Sequence, residues 1–198
     1  IYNQPIVDPV LFRKENQLND KPIIAILPGS RKQEITKMLA VMLSVVNDFP
    51  DHQFVIAGAP SQEFSFYQKF ITQENIKFIS NKTYDLLRNA TAALVTSGTA
   101  TLETALFKVP EVVCYKGSWA SYQIAKRIIT LKYISLVNLI MDEEVVTELI
   151  QEECNTKRIR EELQKTLKTN DRNTLLEKYA LLEEKLGGIG ASEKTATL

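Results

Sequence analysis

Apolar positions along the chain follow two rhythms. Short β-rich runs at 23–27, 54–57, 76–79, 92–95 and 111–115, apolar apart from Lys77 and Glu111, are bounded by Gly, Pro or polar residues. Runs of that length with no polar alternation fit strands buried on both faces. Between them, Ile35, Met38, Leu39, Met42, Leu43 and Val46 recur at helical spacing, as do Leu102, Ala105 and Leu106. Strands alternating with helices predict βαβ units and a doubly wound, Rossmann-like α/β fold: a parallel sheet with flanking helices. Beyond Pro110, the last of the seven prolines, the chain turns mostly helical. Ile159, Leu163 and Leu167 form one stripe; Leu175, Tyr179, Leu182 and Leu186 form another, which Gly187-Gly188 ends. The predicted organisation is a linker or crossover over residues 1–20, a Rossmann-like domain over 21–170 and a helical C-terminal tail over 171–198.

Composition narrows the class. With 198 residues and 44% apolar content, the chain can bury one sizeable core. The 24 basic and 24 acidic residues cancel, which excludes a broad electrostatic grip on nucleic acid. No apolar stretch approaches the roughly 20 residues of a membrane span. Cys114 and Cys154 match neither a zinc spacing nor a disulfide framework, so a reducing, cytoplasmic setting is expected. The chain begins with Ile rather than Met and is expected to be a segment of a longer protein.

Four segments carry candidate chemistry. Leu27-Pro28-Gly29-Ser30-Arg31 ends a predicted strand and opens a helix, where unpaired N–H groups attract anions. Gly29 permits close backbone approach and Arg31 adds a charged donor. Ser30 with Gln33 also forms a capping-box pattern that explains Ser30 without a ligand; it does not explain a cation in the first helical turn. The second segment, Thr96-Ser97-Gly98-Thr99-Ala100-Thr101-Leu102-Glu103, repeats the strand–turn–helix arrangement. It lacks the Lys of a P-loop and the glycines of a dinucleotide fingerprint. Its hydroxyls and N–H groups suit a phosphate, and Glu103 suits sugar hydroxyls or merely the helix dipole. Asn138 interrupts an apolar run after a β-like stretch at 133–136 and serves either a turn or a ligand. Glu148 to Gln151 fall on a predicted helix, where a solvated face is the plainer role. The stretch 115–133 holds Lys116, Lys126, Arg127 and Lys132 without an acid, interleaved with Trp119, Tyr122 and Tyr133. It fits either an amphipathic core helix or a lipid-facing surface. His52 falls in a turn and is expected in solvent. No cluster has metal-ligand spacing, and no nucleophile–base set is legible.

Taken in order, Leu27-Pro28-Gly29-Ser30-Arg31-x-x-Glu34-Ile35, the 97–103 turn, Tyr133-Ile134-Ser135-Leu136-Val137-Asn138-Leu139 and Glu148-Leu149-Ile150-Gln151-Glu152-Glu153-Cys154 resemble the C-terminal half of the bacterial lipid-A-disaccharide synthase family. Gly190-Ala191-Ser192-Glu193 resembles that family's tail, and Thr147 departs from it, since many relatives have proline there. The resemblance implies the donor-binding half of a two-Rossmann (GT-B) glycosyltransferase of family 19. Such an enzyme joins UDP-2,3-diacylglucosamine to 2,3-diacylglucosamine 1-phosphate with inversion, releasing UDP, and serves lipid A biosynthesis. It implies no metal or other cofactor and no nucleic-acid partner. The implied place is the cytoplasm, peripheral to the inner membrane. It further implies that Arg31, Ser97, Gly98 and Thr99 face the diphosphate, that Gly29 and Ser30 help bind the UDP donor, and that Glu103 faces the ribose and Asn138 and Gln151 the donor. Arg31 and Asn138 would be catalytic, the general base would lie in a missing N-terminal domain, and the fragment would be inactive alone. A related GT-B UDP-sugar transferase, a UDP-N-acetylglucosamine 2-epimerase and a non-catalytic nucleotide-binding domain remain alternatives.

Overall fold

A computed structural model describes residues 7–117 and 132–187. The continuous apolar runs become strands because both of their faces are covered. β1 (Ile23–Leu27) and β2 (Gln53–Gly58) are buried at every position. β3 (Ile76–Ser80), β4 (Ala90–Thr96) and β5 (Glu111–Tyr115) join them with a sixth strand, β6 (Thr147–Ile150). All pairings are parallel, and the strand order is β3-β2-β1-β4-β5-β6. The expected α/β fold is therefore observed.

Alternation along the strands divides the core. Ile24, Ile26, Phe54, Ile56, Leu94 and Cys114 face α2 (Lys32–Met42), a 3-10 turn (Leu43–Asp48), α3 (Phe64–Gln68) and α7 (Thr156–Thr166). Ile23, Ala25, Val55 and Val95 face the other side, against α1 (Pro9–Glu15) and α4 (Thr83–Asn89). On that same side Val113 packs with α5 (Thr99–Leu106), α6 (Leu136–Met141) and α8 (Thr169–Lys185).

Several expectations change. Residues 148–151, read as part of a helix, are instead the end of the edge strand β6 and the start of a 3-10 turn at Gln151–Glu153. Parallel pairing of Thr147–Ile150 with Val112–Tyr115 of β5 fixes the strand. Conversely 133–136 is no strand: Ser135 caps α6, its hydroxyl accepting from the Asn138 N–H at 3.2 Å. The segment expected to be a linker contains α1, capped by Asp8, with Phe12 fully buried. The boundary expected at 170/171 falls within the first turn of α8. His52 packs edge-on against Phe49 at 6.0 Å, and burial lowers its pKa. Cys114 and Cys154 are free and buried thiols that meet each other across β5 and the turn after β6. Most of 115–133, namely residues 118–131, and the tail at 190–193 lie outside the described residues.

One polar pair inside the core carries a pH dependence. Glu111 is 2% exposed at the start of β5. The Tyr179 hydroxyl of α8 stands against its carboxyl, outside strict hydrogen-bond geometry. Burial pushes the Glu111 pKa well above the usual carboxylate range, with the Tyr179 hydroxyl opposing weakly. A raised folded-state pKa means the native chain holds a proton that the unfolded chain has lost. Stability is therefore full below the ordinary carboxylate pKa and declines as pH rises toward the folded value. Glu111→Gln should remove that decline. Compared by thermal denaturation at pH 5 and pH 8, it should gain most at pH 8, by ~2–4 °C, as about 1 kcal/mol does in a chain of this size.

Candidate functional site

Every strand is parallel, so all carboxyl ends meet at one edge. β1 and β4 are neighbours there, yet α2 leaves β1 toward one face while α5 leaves β4 toward the other. Such a divergence opens a crevice, the usual ligand position in doubly wound sheets. A cavity of about 390 Å³ occupies it, over Leu27, Gly58 and Thr96. Gly29, Ser30 and Glu34 form one wall, and residues 97–100 with Glu103 form the other. Thus Gly29, Ser30, Ser97, Gly98, Thr99 and Glu103 are brought together as the sequence suggested.

The α2 wall differs from its expected form. α2 starts at Lys32 with Arg31 as the N-cap residue, so Ser30 and Gln33 do not make a capping box. Glu34, at the third helical position, turns back instead, and its carboxylate accepts from the Ser30 N–H at 3.3 Å. Gly29 adopts φ +96°, and a Cβ there would overlap the Glu34 carboxylate. The backbone angle requires glycine here, and any side chain would also push the Glu34 carboxylate from its place. Arg31 is exposed and lies outside the cavity lining.

The α5 wall presents donors. Gly98, at φ +143°, precedes the helix without a side-chain cap. Thr99 is exposed at the first helical position. The Thr96 hydroxyl is buried without a partner, the residue being 2% exposed. Glu103 accepts from the Tyr84 hydroxyl at 3.2 Å. Burial first, and then the Glu103 charge, raise the Tyr84 pKa.

Asn138 does not reach the cavity. It is 0% exposed, and its amide is fully committed. Its Nδ2 donates to the Val146 carbonyl at 2.8 Å and to Glu148 at 2.9 Å. Its Oδ1 accepts from the Val145 and Val146 N–H groups at 2.8 and 3.0 Å. Glu148, expected in solvent, is the centre of this network: its carboxylate also accepts from the Ile134 and Ser135 N–H groups, each at 2.9 Å. The Ile134 carbonyl in turn accepts from the Ser97 hydroxyl at 2.8 Å. Asn138 and Glu148 therefore hold the loop on which the Ser97 turn leans. Gln151 follows β6 at the same sheet edge, outside the cavity lining, with φ +52° and a buried Nε2 that has no partner.

Sequence reasoning gave no role to Glu34 and passed over Tyr84. Only the five-residue spacing of Gly29 and Glu34 hinted at the first. Among the described residues, no group of three or more His, Cys, Asp or Glu could hold a metal ion, and no helix is long and apolar enough to cross a membrane.

Comparison with known proteins gives a consistent set. Residues 7–195 match the family described as lipid-A-disaccharide synthetase. A lipid-A-disaccharide synthase of Idiomarina loihiensis is 35% identical over 192 residues, covering 91% of this chain and 50% of the relative. One from Syntrophus aciditrophicus is 37% identical over 187 residues, covering 90% and 49%. The chain thus spans about half the length of the curated relatives it matches. Among solved structures, an S. aureus MnaA–UDP co-structure has a TM-score of 0.63 at 13% identity, covering 96% of this chain and 48% of that one. CalG4, the calicheamicin glycosyltransferase, has a TM-score of 0.59 at 16% identity, covering 89% and 42%. These two likenesses concern the fold.

The Asn138 network predicts a stability effect rather than a local loss of contact. Asn138→Ala strands two buried N–H groups and should cost about 2–4 kcal/mol. Urea denaturation of the variant should show the midpoint falling with an unchanged slope.

Proposed function

The chain belongs to the lipid-A-disaccharide synthetase family, and from that premise we propose that it binds the nucleotide-sugar donor of a GT-B glycosyltransferase. The whole protein transfers 2,3-diacylglucosamine from UDP to 2,3-diacylglucosamine 1-phosphate. The observation that carries this reading is the crevice between β1 and β4. An uncapped helix start, with Glu103 one turn further along the same helix, faces the Glu34 carboxylate across one cavity. That combination suits a ligand with an anionic part and a hydroxyl-rich part, as a UDP-sugar has.

In the proposed reaction the acceptor 6-hydroxyl oxygen bonds to the donor's anomeric carbon as the bond from that carbon to the UDP oxygen breaks. The anomeric configuration inverts, and the acceptor proton passes to a base outside this chain. Negative charge grows on the departing UDP, and donors set in advance are the effective means of stabilising it. The N–H groups at Gly98 and Thr99, with the Thr99 hydroxyl, take the diphosphate, while the Ser97 hydroxyl, donating to the Ile134 carbonyl, fixes the turn that presents them. Arg31 approaches it from the solvent side, and Glu103 accepts from the ribose hydroxyls. The unpartnered Gln151 amide reaches the donor at the same edge. Asn138 acts by positioning, through Glu148 and Ile134 on Ser97. The reaction needs no metal and runs at the cytoplasmic surface of the inner membrane; the isolated half is inactive.

Assays on the full-length protein test this. It should transfer from UDP-2,3-diacylglucosamine, with activity unchanged by a chelator. Epimerisation of UDP-N-acetylglucosamine, with no transfer, would sink the reading in favour of an epimerase. Arg31→Ala should lower turnover by ~100-fold, the scale of losing one preorganised donor to a developing anion. Glu103→Ala should weaken UDP binding by about tenfold, as one charged hydrogen bond is worth. Steady-state kinetics and titration calorimetry read the two effects separately.

A further inference from the structure

The start of α2 looks at first like the second anion seat of the crevice, opposite the start of α5. Its seat is taken. The Glu34 carboxylate lies on Gly29 and accepts from the Ser30 N–H at 3.3 Å. It thereby satisfies a donor that a bound phosphate would otherwise use, and its charge complements the helix dipole. Glu34 is also half-buried and lines the cavity, as does Glu103, while no Lys, Arg or His appears in that lining. A second anion on this wall would meet a fixed like charge. The opposite wall has no such acid at its helix start: α5 begins uncapped at Gly98, above the unpartnered Thr96 hydroxyl.

A carboxylate that merely capped α2 would spend its acceptors on the helix. The single bond to Ser30 is long for a charge-assisted contact, and ionised carboxylates carry about four lone-pair sites. Glu34 keeps acceptor capacity facing the cavity, and a carboxylate can receive only a donor. The ligand group that fits this wall is a hydrogen-bond donor without negative charge, which a nucleotide sugar supplies as a hydroxyl.

We propose that Glu34 is a specificity-determining residue of the donor site. Its carboxylate excludes anions from the α2 wall, confines the donor diphosphate to the start of α5, and accepts a hydroxyl of the donor. This rests on the reading of the cavity as a nucleotide-sugar site.

Titration of the full-length protein with inorganic pyrophosphate and with UDP separates the two. Glu34→Gln keeps size and removes charge; it should bind pyrophosphate about tenfold more tightly than the parent, while the KM for the sugar donor rises about tenfold. Glu34→Asp keeps the charge and should show no gain for pyrophosphate. Should the Gln variant fail to fold, Glu34→Ala gives the same gain. Pyrophosphate affinity unchanged or weakened in a variant that melts with the parent overturns the assignment. A parent that binds no UDP overturns the nucleotide-sugar reading instead, and the pyrophosphate comparison still reports on Glu34.

Discussion

The placement of β1 beside β4 in an all-parallel sheet is the constraint from which the rest follows. Parallel strands require crossovers, and crossovers of fixed hand send helices to one face or the other according to the direction of winding. Winding reverses between β1 and β4, so the turns at 28–31 and 97–98 diverge and leave a gap that no strand fills. Each turn is the start of a helix with unpaired N–H groups. The crevice therefore comes with two polar ends before any functional side chain is added. The neighbouring residues then differentiate those ends, with an acid at one and small hydroxylic residues at the other.

Holding the α5 end in place requires a link to the far side of the sheet, and polar groups make it. Glu148 on the edge strand β6 gathers the Ile134 and Ser135 N–H groups and the Asn138 amide; Ile134 passes the constraint to Ser97. Buried polar groups stabilise one arrangement only when all are satisfied, and Asn138 is. Three of the segments through which the sequence resembles its family thus meet in one hydrogen-bonded chain, though they are spread over residues 97–154. The loop is specified by directional bonds rather than by apolar packing, which gives a sharper register than burial alone.

How much of this was legible depends on where the deciding contact lies. β1 and β5 were readable to the residue, because a strand covered on both faces tends to be continuously apolar, as β1 is throughout and β5 is after Glu111. β6 was hidden: as an edge strand it carries Thr147 and Glu148 at half-buried positions and looks like a helix surface. α3 and α4, five and seven residues long, are too short to display a helical period. The cavity turns were legible as turns, but the identity of the cap was not. Ser30–Gln33 and Arg31–Glu34 are adjacent frames of similar spacing, and only the proximity of Glu34 to Gly29 selects the second. Asn138 and Glu148 were visible as polar residues without roles, since their partners are each other.

The two walls together impose a direction on whatever enters. Free donors gather at the start of α5, with Glu103 one turn further along that helix, and Glu34 faces them from the α2 wall. A ligand with an anionic end and a hydroxylated end gains from both walls in one orientation. Turned around, it sets its anion against carboxylates and its hydroxyls against donors that would rather meet charge. Discrimination of this kind arises as much from the repulsive arrangement as from the attractive one. The cations nearest the crevice in sequence reinforce the point: Lys32 lies over the Phe66 ring at 5.5 Å, and Arg31 is exposed, so neither neutralises the acid-lined wall from within.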